Sequence, residues 1–257
     1  MTKPSTIKAI YKCLLQDAKA LQRTPHFRLR NALQLEHWGV GHYVPPRSSG
    51  SQTPSRIRSL ADYLSARERG FRYEDAQEDV VKVIRECFKA NLGLSEPKAI
   101  AEKLDEAIHA LQEVSNQLLL AQCSSVTTTH GIRIEATSQY VPSHSNPQQN
   151  LFRYTYRVTI TNENEEGTVQ ITGRQYSFES ERGQRIALPP HSPGIVGNTP
   201  VLQPGQTFEY ASGVDIDSPR GFVTGCLHLI RRGDDFDDDR DIFDADVAKF
   251  NLLASHK

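Results

Sequence analysis

The chain has 257 residues, of which 37% are hydrophobic and 24% are charged, and its formal net charge is −1. This length accommodates two modest domains of about 100 to 200 residues each, and the composition is too apolar for a wholly disordered chain. No segment approaches the roughly 20 apolar residues that cross a bilayer, so a membrane-spanning helix is excluded.

Charge is distributed unevenly along the chain. Residues 1–73 carry 13 Lys and Arg against 4 Asp and Glu, whereas residues 126–257 carry 12 against 17. A basic N-terminal third predicts an acidic partner, such as nucleic acid, a phosphorylated ligand or an acidic protein.

The cysteines and the N-terminus carry less information. Four cysteines stand far apart without C-x-x-C spacing, at positions 13, 87, 123 and 226, and we expect them to be buried reduced thiols. The first residues lack the apolar segment of a secretory signal. The opening helix is basic and amphipathic, as an uncleaved mitochondrial address is, and as many structural helices are.

Helical periodicity dominates the first 122 residues. It predicts an amphipathic helix over 5–22, a short one over 28–37, a helix over 74–91, and another that begins after Ser95 and extends to about Gln122. The last has the apolar stripe Ile100, Leu104, Ile108, Leu111, Val114 and Leu118. Residues 38–70 begin with many Gly, Pro and Ser, and we expect an irregular insertion that serves as a contact arm.

Alternation of apolar and polar residues replaces the helical pattern after Cys123. Short alternating segments separated by Pro, Gly, Asn and Ser are typical of antiparallel sheets. The predicted strands are 132–140, 152–161, 168–178, 208–213 and 222–230, with a hairpin turn over 162–167. We therefore predict an α + β chain. Its first part, 1–125, is a domain of three principal helices, and its second part, 126–257, is an antiparallel β-sandwich with an acidic C-terminal segment.

The predicted sandwich resembles the ApaG domain. The resemblance includes Phe152-Arg-Tyr-Thr-Tyr, the loop Pro193-Gly-Ile-Val-Gly-Asn and the late segment Phe243-Asp-Ala-Asp-Val, which keep the order of that family. It implies a sandwich of the fibronectin type III or immunoglobulin kind, which occurs alone in bacteria and as an appended module in eukaryotic proteins.

The predicted helices resemble the LYR family of small mitochondrial three-helix proteins. The Leu-Tyr-Arg signature of that family corresponds to Ile10-Tyr11-Lys12, and the Arg and Phe of its second helix correspond to Arg85 and Phe88. The triplet departs from the signature at two positions, and the 38–70 insertion is longer than is usual there. The resemblance implies a location in the mitochondrial matrix and binding to an acyl carrier protein.

In that family the acidic carrier docks on a basic face, and its acyl-phosphopantetheine enters the apolar seam between helices. The resemblance assigns this site to Ile10, Tyr11, Lys12, Arg85, Phe88 and Lys89. Cations suit an acidic helix, and aromatic rings suit an apolar tunnel. The alternative is that Tyr11 and Phe88 fill an ordinary helical core. No cofactor is expected to bind the chain directly.

A second candidate site is the loop at 192–197. Bacterial ApaG domains carry G-x-G-x-x-G here, for which phosphate binding has been considered, because amides freed by glycine can surround phosphate oxygens. In this chain Ser192 replaces the first glycine, and Pro193 lacks an N–H. Gly194 and Gly197 remain candidate phosphate-binding residues, and a structural turn is the favoured alternative.

Other patterns point away from catalysis. The acidic run at 234–241 lacks the central glycine and final Glu of a calcium loop, so a solvated acidic loop is favoured. The histidines are scattered, and no carboxylate or cysteine completes a metal site around His37 and His42. Since there is no Walker loop, G-x-S-x-G or catalytic carboxylate pair, we predict a protein that is not an enzyme and has neither catalytic nor metal-binding residues.

The combined prediction is a non-catalytic adaptor that binds mitochondrial acyl carrier protein through its helices and docks on a large mitochondrial assembly. The mitochondrial ribosome or an assembly intermediate is the preferred host, through ribosomal RNA or protein. A respiratory-chain or ATP synthase complex is the alternative host. Two other classes stay open: a module that binds phosphate or another small ligand, and an enzyme such as a nucleotide-phosphate hydrolase.

Overall fold

The computed structural model describes residues 4–25, 39–44, 79–189, 192–232 and 241–255. They fall into two compact units. The described part of the helical unit is 4–25 and 79–122, and that of the sandwich unit is 39–44 together with everything described from Cys123 onward. The predicted domain boundary at residue 125 thus lies three residues beyond Gln122, where the helical unit ends.

The described helical unit contains α1 (Pro4–Gln22), α2 (Val80–Ala90) and α3 (Pro97–Gln122). Helix α1 packs against both α2 and α3. Helix α2 begins after Asp79, whose carboxylate accepts a hydrogen bond from the backbone N–H of Lys82 at 2.9 Å and so satisfies one free amide of the first turn. The buried apolar side chains of this core are Leu14, Ala18, Leu21, Val80, Val81, Val83, Ile84, Ala107, Ala110, Val114 and Leu118.

The buried face of α3 differs from the predicted stripe. Ile108 is 37% exposed, whereas Ala107 and Ala110 are buried. Methyl side chains at 107 and 110 let α1 approach closely, and successive helical residues are turned by about 100°, so Ile108 cannot share their face. The expectation that Ile108 belongs to the core is wrong.

The sandwich unit consists of two antiparallel sheets. Its strands are β1 (Gly41–Val44), β2 (Ser124–Thr129), β3 (Ile132–Tyr140), β4 (Phe152–Asn162), β5 (Thr168–Ser180), β6 (Arg185–Ala187), β7 (Ser192–Pro193), β8 (Val201–Leu202), β9 (Thr207–Ile216), β10 (Arg220–Arg232) and β11 (Asp241–Leu253). One sheet has the order β1-β9-β4-β3-β2. The other has the order β11-β10-β5-β6, with β7 and β8 also paired to β5.

All five predicted strands are present, as β3, β4, β5, β9 and β10, and six further strands were not predicted: β1, β2, β6, β7, β8 and β11. Residues 241–253, for which no strand was predicted and which include the late segment of the ApaG resemblance, form an edge strand of the second sheet. Ala245, Val247 and Phe250 are buried in the core, while Asp244 and Asp246 are exposed. The strand therefore has one apolar face and one acidic face, and its acidic residues made it difficult to recognise from the sequence.

Residues 41–44 lie in the sandwich unit and not in an irregular insertion of the helical domain. They form β1, which pairs with β9. A Cβ atom at Gly41 would lie 2.4 Å from the ring of Phe208, so glycine allows the close approach. The Tyr43 ring packs edge-on against Phe208 at 5.4 Å between centroids. The predicted helix over 28–37, residue 38 and residues 45–70 lie outside the described residues.

The core between the two sheets is dominated by large aromatic side chains. Tyr154, Tyr156, Tyr176 and Tyr210 are each at most 1% exposed. The hydroxyls of Tyr176 and Tyr210 hydrogen-bond to each other, and that of Tyr154 donates to the Pro219 carbonyl at 2.8 Å. These partners satisfy polar atoms that would otherwise be costly to bury.

The predicted hairpin turn after β4 is fixed by the wholly buried Asn162. Its side-chain amide donates to the carbonyls of Gly167 and Leu202 at 3.0 and 3.1 Å. Gly167 has φ +85°, the left-handed conformation that favours glycine. The turn is therefore tied to β8 as well as closed locally.

The four cysteines are free thiols. Only Cys123 is buried, Cys87 and Cys226 are half-buried, and Cys13 is exposed, so the expectation of burial is wrong for Cys13. None of the helices within the described ranges is long and apolar enough to cross a membrane.

Candidate functional site

The helical unit contains a cavity of about 600 Å³. All three described helices contribute to it, together with the connection between α2 and α3. Its lining consists of Ile7, Lys8, Ile10, Tyr11, Arg85, Cys87, Phe88, Lys89, Ala90, Asn91, Leu92, Leu94, Ile100, Lys103, Leu104, Glu106 and Ala107. This volume falls within the range of about 300 to 1,000 Å³ that is usual for small-molecule sites.

Two aromatic rings form one wall of the cavity. Tyr11 of α1 and Phe88 of α2 are half-buried, with ring centroids 4.7 Å apart. The periodicity of each helix explains the position, because Leu14 and Ile84, one turn from these rings, are fully buried in the core. The rings therefore lie at the edge of the core, where they contact both the core and the cavity.

The connection between α2 and α3 holds further apolar side chains beside the cavity. Asn91 ends α2, and its side-chain amide donates to the Cys87 carbonyl at 2.7 Å. The chain then turns, leaving Leu92 82% exposed and Leu94 39% exposed. Exposed leucines at the edge of a cavity give it an apolar margin that a ligand can cover.

Positive charge is in excess around the cavity. The charged side chains of the lining are Lys8, Arg85, Lys89, Lys103 and Glu106. Lys103 is paired with Glu106 at 2.6 Å, and this contact raises the pKa of the Lys103 ammonium. The remaining cations are exposed and give the margin of an apolar cavity a positive potential.

The structure brings five of the six predicted carrier-site residues to this cavity: Ile10, Tyr11, Arg85, Phe88 and Lys89. The sixth, Lys12, is exposed and is not among the lining residues. Lys12 follows Tyr11 directly and is therefore turned away by about 100° on the helix.

Sequence reasoning missed several lining residues. Ile7 and Lys8 stand four and three positions before Tyr11, and this spacing places helical residues on the same face. The helical periodicity could therefore have predicted both as neighbours of Tyr11. Lys103 and Leu104 of α3 gave no comparable signal, because their approach to Tyr11 depends on the packing of the three helices.

The backbone of the 192–197 loop is hydrogen-bonded to β5 and to the next residue, Asn198. Gly194 and Gly197 have φ +66° and +81°. The amide of Gly194 donates to the Thr172 carbonyl, and those of Ile195 and Asn198 donate to each other's carbonyls, at 2.7 to 2.9 Å. These three amides already have acceptors, so phosphate binding at Gly194 and Gly197 stays a prediction without geometric support. The acidic run, apart from Asp241, lies outside the described residues.

Comparisons with known proteins place the similarity in the sandwich unit. A family model described as ApaG domain matches residues 142–231. Protein ApaG of Methylocella silvestris is 34% identical over 48% of this chain and 88% of its own length. Protein ApaG of Beijerinckia indica is 36% identical over 49% of this chain and 90% of its own length. A Bordetella pertussis crystal structure described as ApaA has 26% identity and a TM-score of 0.44 over 53% of this chain and 98% of that one.

These relatives overturn the predicted function, partners and location. They are bacterial ApaG proteins. The predictions of a mitochondrial matrix location, an acyl carrier protein partner and a host in the mitochondrial ribosome, a respiratory-chain complex or ATP synthase are therefore wrong. The matched family model lies within the sandwich unit, and no family match supports the LYR resemblance of the helices.

Proposed function

Since this chain belongs to the ApaG family, we propose that it is a binding protein without catalytic activity, whose helical unit takes an elongated apolar molecule with an anionic end, of the fatty carboxylate class. The observation that carries the proposal is the cavity of about 600 Å³, which combines an apolar wall with a cationic margin. The fibronectin type III-like identity of the sandwich stays a prediction.

The apolar lining favours a ligand chain over a polar metabolite. Tyr11 and Phe88 flank the cavity, and Ile10 and Leu104 add aliphatic surface. Each methylene that leaves water contributes about 0.8 kcal/mol, so two methylenes correspond to about tenfold in affinity. A straight hydrocarbon chain gains this free energy for each methylene that enters the cavity. A polar ring in the same place would instead lose its hydrogen bonds to water.

The charged margin favours an anionic end on that chain. Lys8, Arg85 and Lys89 are exposed beside the apolar wall, and Glu106 is already paired with Lys103. Exposed charges act mainly on the rate of encounter and on orientation, with modest effects on affinity. The cations would therefore hold the carboxylate at the opening while the chain enters.

The lining suits binding better than chemistry. Its groups with nucleophilic or acid–base character are Cys87, Tyr11, Glu106 and the three lysines Lys8, Lys89 and Lys103. Of these, the Glu106 carboxylate is engaged by Lys103, and the Tyr11 ring packs on Phe88. A catalytic site needs a nucleophile aligned with a base, and this lining offers aliphatic contact instead.

Calorimetric titration of the full chain with saturated carboxylates of increasing length tests the proposal. We expect affinity to rise about tenfold for every two methylenes until the cavity is filled. The alcohol of the same length should bind more weakly, because it lacks the charge that Lys8 and Lys89 attract. Equal affinity for all chain lengths, or absence of binding, would contradict the proposal.

A matched pair of lysine variants locates the anionic end. Lys8 and Lys12 are both exposed and lie one turn apart on α1, but only Lys8 lines the cavity. Lys8→Glu should weaken carboxylate binding about fivefold at low salt and leave the alcohol unaffected. Lys12→Glu should change neither. An effect of Lys12→Glu equal to that of Lys8→Glu would show that net charge, and not this cavity, governs binding.

A further inference from the structure

The outer face of the second sheet brings together a thiol, an imidazole and carboxylates. In the antiparallel pair of β10 and β11, Cys226 lies opposite Asp246 and His228 lies opposite Asp244. The intervening residues Leu227 and Ala245 are buried in the core, so the alternation of each strand places these four polar residues on the other face.

Three of these side chains converge on one point. His228 Nδ1 lies 2.6 Å from Asp244 Oδ1, and Cys226 Sγ lies 3.8 Å from Asp244 Oδ2. One ligand atom from each residue lies within 4.8 Å of the others. The side chain of His228 is 9% exposed and that of Asp244 is 56% exposed, so the group opens to solvent on the carboxylate side.

The imidazole is held in place by the neighbouring strand. His228 pairs with Gly173 of β5, where a Cβ atom would lie 3.5 Å from the imidazole Cδ2 and 2.8 Å from the Ser192 carbonyl oxygen. Gly173 thus allows the backbone of β7 to approach β5 closely, while the imidazole lies at van der Waals distance from the same position. A buried ring with a fixed orientation needs little reorganisation to bind a ligand.

The same geometry argues against a reactive thiol. Burial and the nearby carboxylates of Asp244 and Asp246 raise the pKa of Cys226 to about 11, so the sulfur is a thiol at neutral pH. His228 Nδ1 faces Asp244 and is not directed at the sulfur as a base would be. A nucleophilic cysteine would need the opposite arrangement.

We propose that Cys226 Sγ, His228 Nδ1 and an Asp244 carboxylate oxygen form a three-ligand site for a divalent transition metal of the zinc class, with a fourth position open to water. Sulfur, imidazole nitrogen and carboxylate together suit Zn²⁺ or Co²⁺, whereas Mg²⁺ and Ca²⁺ prefer oxygen alone. None of these three residues lines the cavity in the helical unit. A negative result for one proposal therefore does not affect the other.

Metal binding requires a small rearrangement with a defined proton balance. The S–H bond of Cys226 breaks as the metal–sulfur bond forms, and the proton passes to water. The imidazole binds neutral through the Nδ1 lone pair, with its proton on Nε2. Ligand atoms around tetrahedral zinc lie about 3.5 Å apart, so the sulfur-to-oxygen distance already fits and the exposed Asp244 must move about 1 Å from Nδ1.

Co²⁺ titration of the full, tag-free chain tests the site, because a thiolate-to-cobalt charge-transfer band reports ligation by sulfur. We expect one equivalent of Co²⁺ to produce the band, Zn²⁺ to abolish it by displacement, and excess Mg²⁺ to leave it unchanged. Cys226→Ser should remove the band. The matched control Cys13→Ser, at an exposed cysteine of the helical unit, should retain it.

Asp244→Asn provides a second variant at an exposed position, where misfolding is not expected to confuse the result. It should weaken Co²⁺ binding at least tenfold, whereas Asp246→Asn should weaken it less than threefold. If the wild-type chain shows no charge-transfer band, or if the band survives Cys226→Ser, the proposal is overturned and the three residues are a hydrogen-bonded cluster only. An unchanged affinity in Asp244→Asn would also overturn it.

Discussion

The sandwich unit and the helical unit bury their side chains in different ways. In the sandwich, two sheets enclose large aromatic rings, including Tyr156, Tyr176 and Phe250, each at most 1% exposed. In the helical unit, the buried core consists of aliphatic side chains and includes three alanines, Ala18, Ala107 and Ala110. Bulky side chains fill the space between the sheets. Small side chains allow two helices to approach closely where they meet, and the same helices are then less closely packed elsewhere along their length.

This difference in core packing indicates where each unit can bind a ligand. The cavity beside Tyr11 and Phe88 lies within the helical unit, whereas the candidate chemistry of the sandwich unit lies on an outer face, at Cys226 and His228. The helical unit offers an interior surface instead. The two proposed sites therefore use different features, an outer sheet face in one unit and incomplete packing in the other.

Alkaline pH should produce the largest difference in stability between the two units. Among the described residues, only the sandwich buries tyrosine hydroxyls and a thiol whose pKa is raised by burial. Burial raises the pKa of Tyr154, Tyr156, Tyr176 and Tyr210, and it raises that of Cys123 to about 11. The folded unit holds these protons while the unfolded chain loses them from about pH 9 upward, so stability falls as pH rises. The loss begins as the Cys123 thiol of the unfolded chain ionises and grows as its tyrosines ionise above about pH 10.

Tyrosinate absorbance and far-ultraviolet circular dichroism measure this during an alkaline titration. We expect the buried tyrosines to ionise together with the loss of the sheet signal, while the helical signal persists to higher pH. Ionisation of all tyrosines near their ordinary pKa with the sheets intact would show that the sandwich core admits water.

A methyl group at Gly225 should have the next largest effect. Its Cβ atom would lie 2.0 Å from the Gln175 carbonyl oxygen and 2.5 Å from the Tyr176 ring, and backbone cannot yield as a flexible side chain can. Gly225→Ala should lower the free energy of unfolding of the sandwich by about 3 kcal/mol or more. Urea unfolding, followed by the sheet signal, measures the loss.

The matched control is Gly93→Ala in the helical unit, where a Cβ atom meets open space. It should change stability by less than about 1 kcal/mol, with a gain expected because alanine restricts the unfolded chain. Similar losses in the two variants would mean that the strands near Gly225 are as loosely packed as the α2–α3 connection.

The smallest effect should come from Ile108, which the periodicity of α3 placed in the core. At 37% exposure, Ile108→Ala should change the free energy of unfolding by less than about 0.5 kcal/mol. Ile84→Ala, at a fully buried position of the same unit, should cost about 2 to 5 kcal/mol. Helical circular dichroism in urea measures both, and a loss above 1 kcal/mol at Ile108 would show that another part of the protein covers it.

Elements with one clear period could be predicted from the sequence. The stripe from Ile7 to Leu21 predicted α1, and the alternation in 132–140 predicted β3 to the residue. The strand over 241–253 was missed because it directly follows the acidic run, and the aspartates of its exposed face resemble a continuation of that run. The short β1 was missed because its register depends on contact with Phe208, far along the chain.

The candidate sites divide in the same way. Tyr11 and Phe88 were predicted as a pair through a family resemblance, and the structure places their rings in contact. The thiol and imidazole of Cys226 and His228 stand two residues apart, which by itself is an unremarkable spacing. Only the pairing of β10 with β11 adds Asp244, sixteen residues beyond His228.

The sequence by itself determined that a helical part precedes a β part, and it determined the positive charge of the first third, because side-chain period and charge are local properties. Tertiary structure decided which alanine face of α3 meets α1, how much space remains beside Tyr11, and which carboxylate meets His228. These outcomes depend on the distances between elements, and those distances are set by the volumes of side chains that lie far apart along the chain.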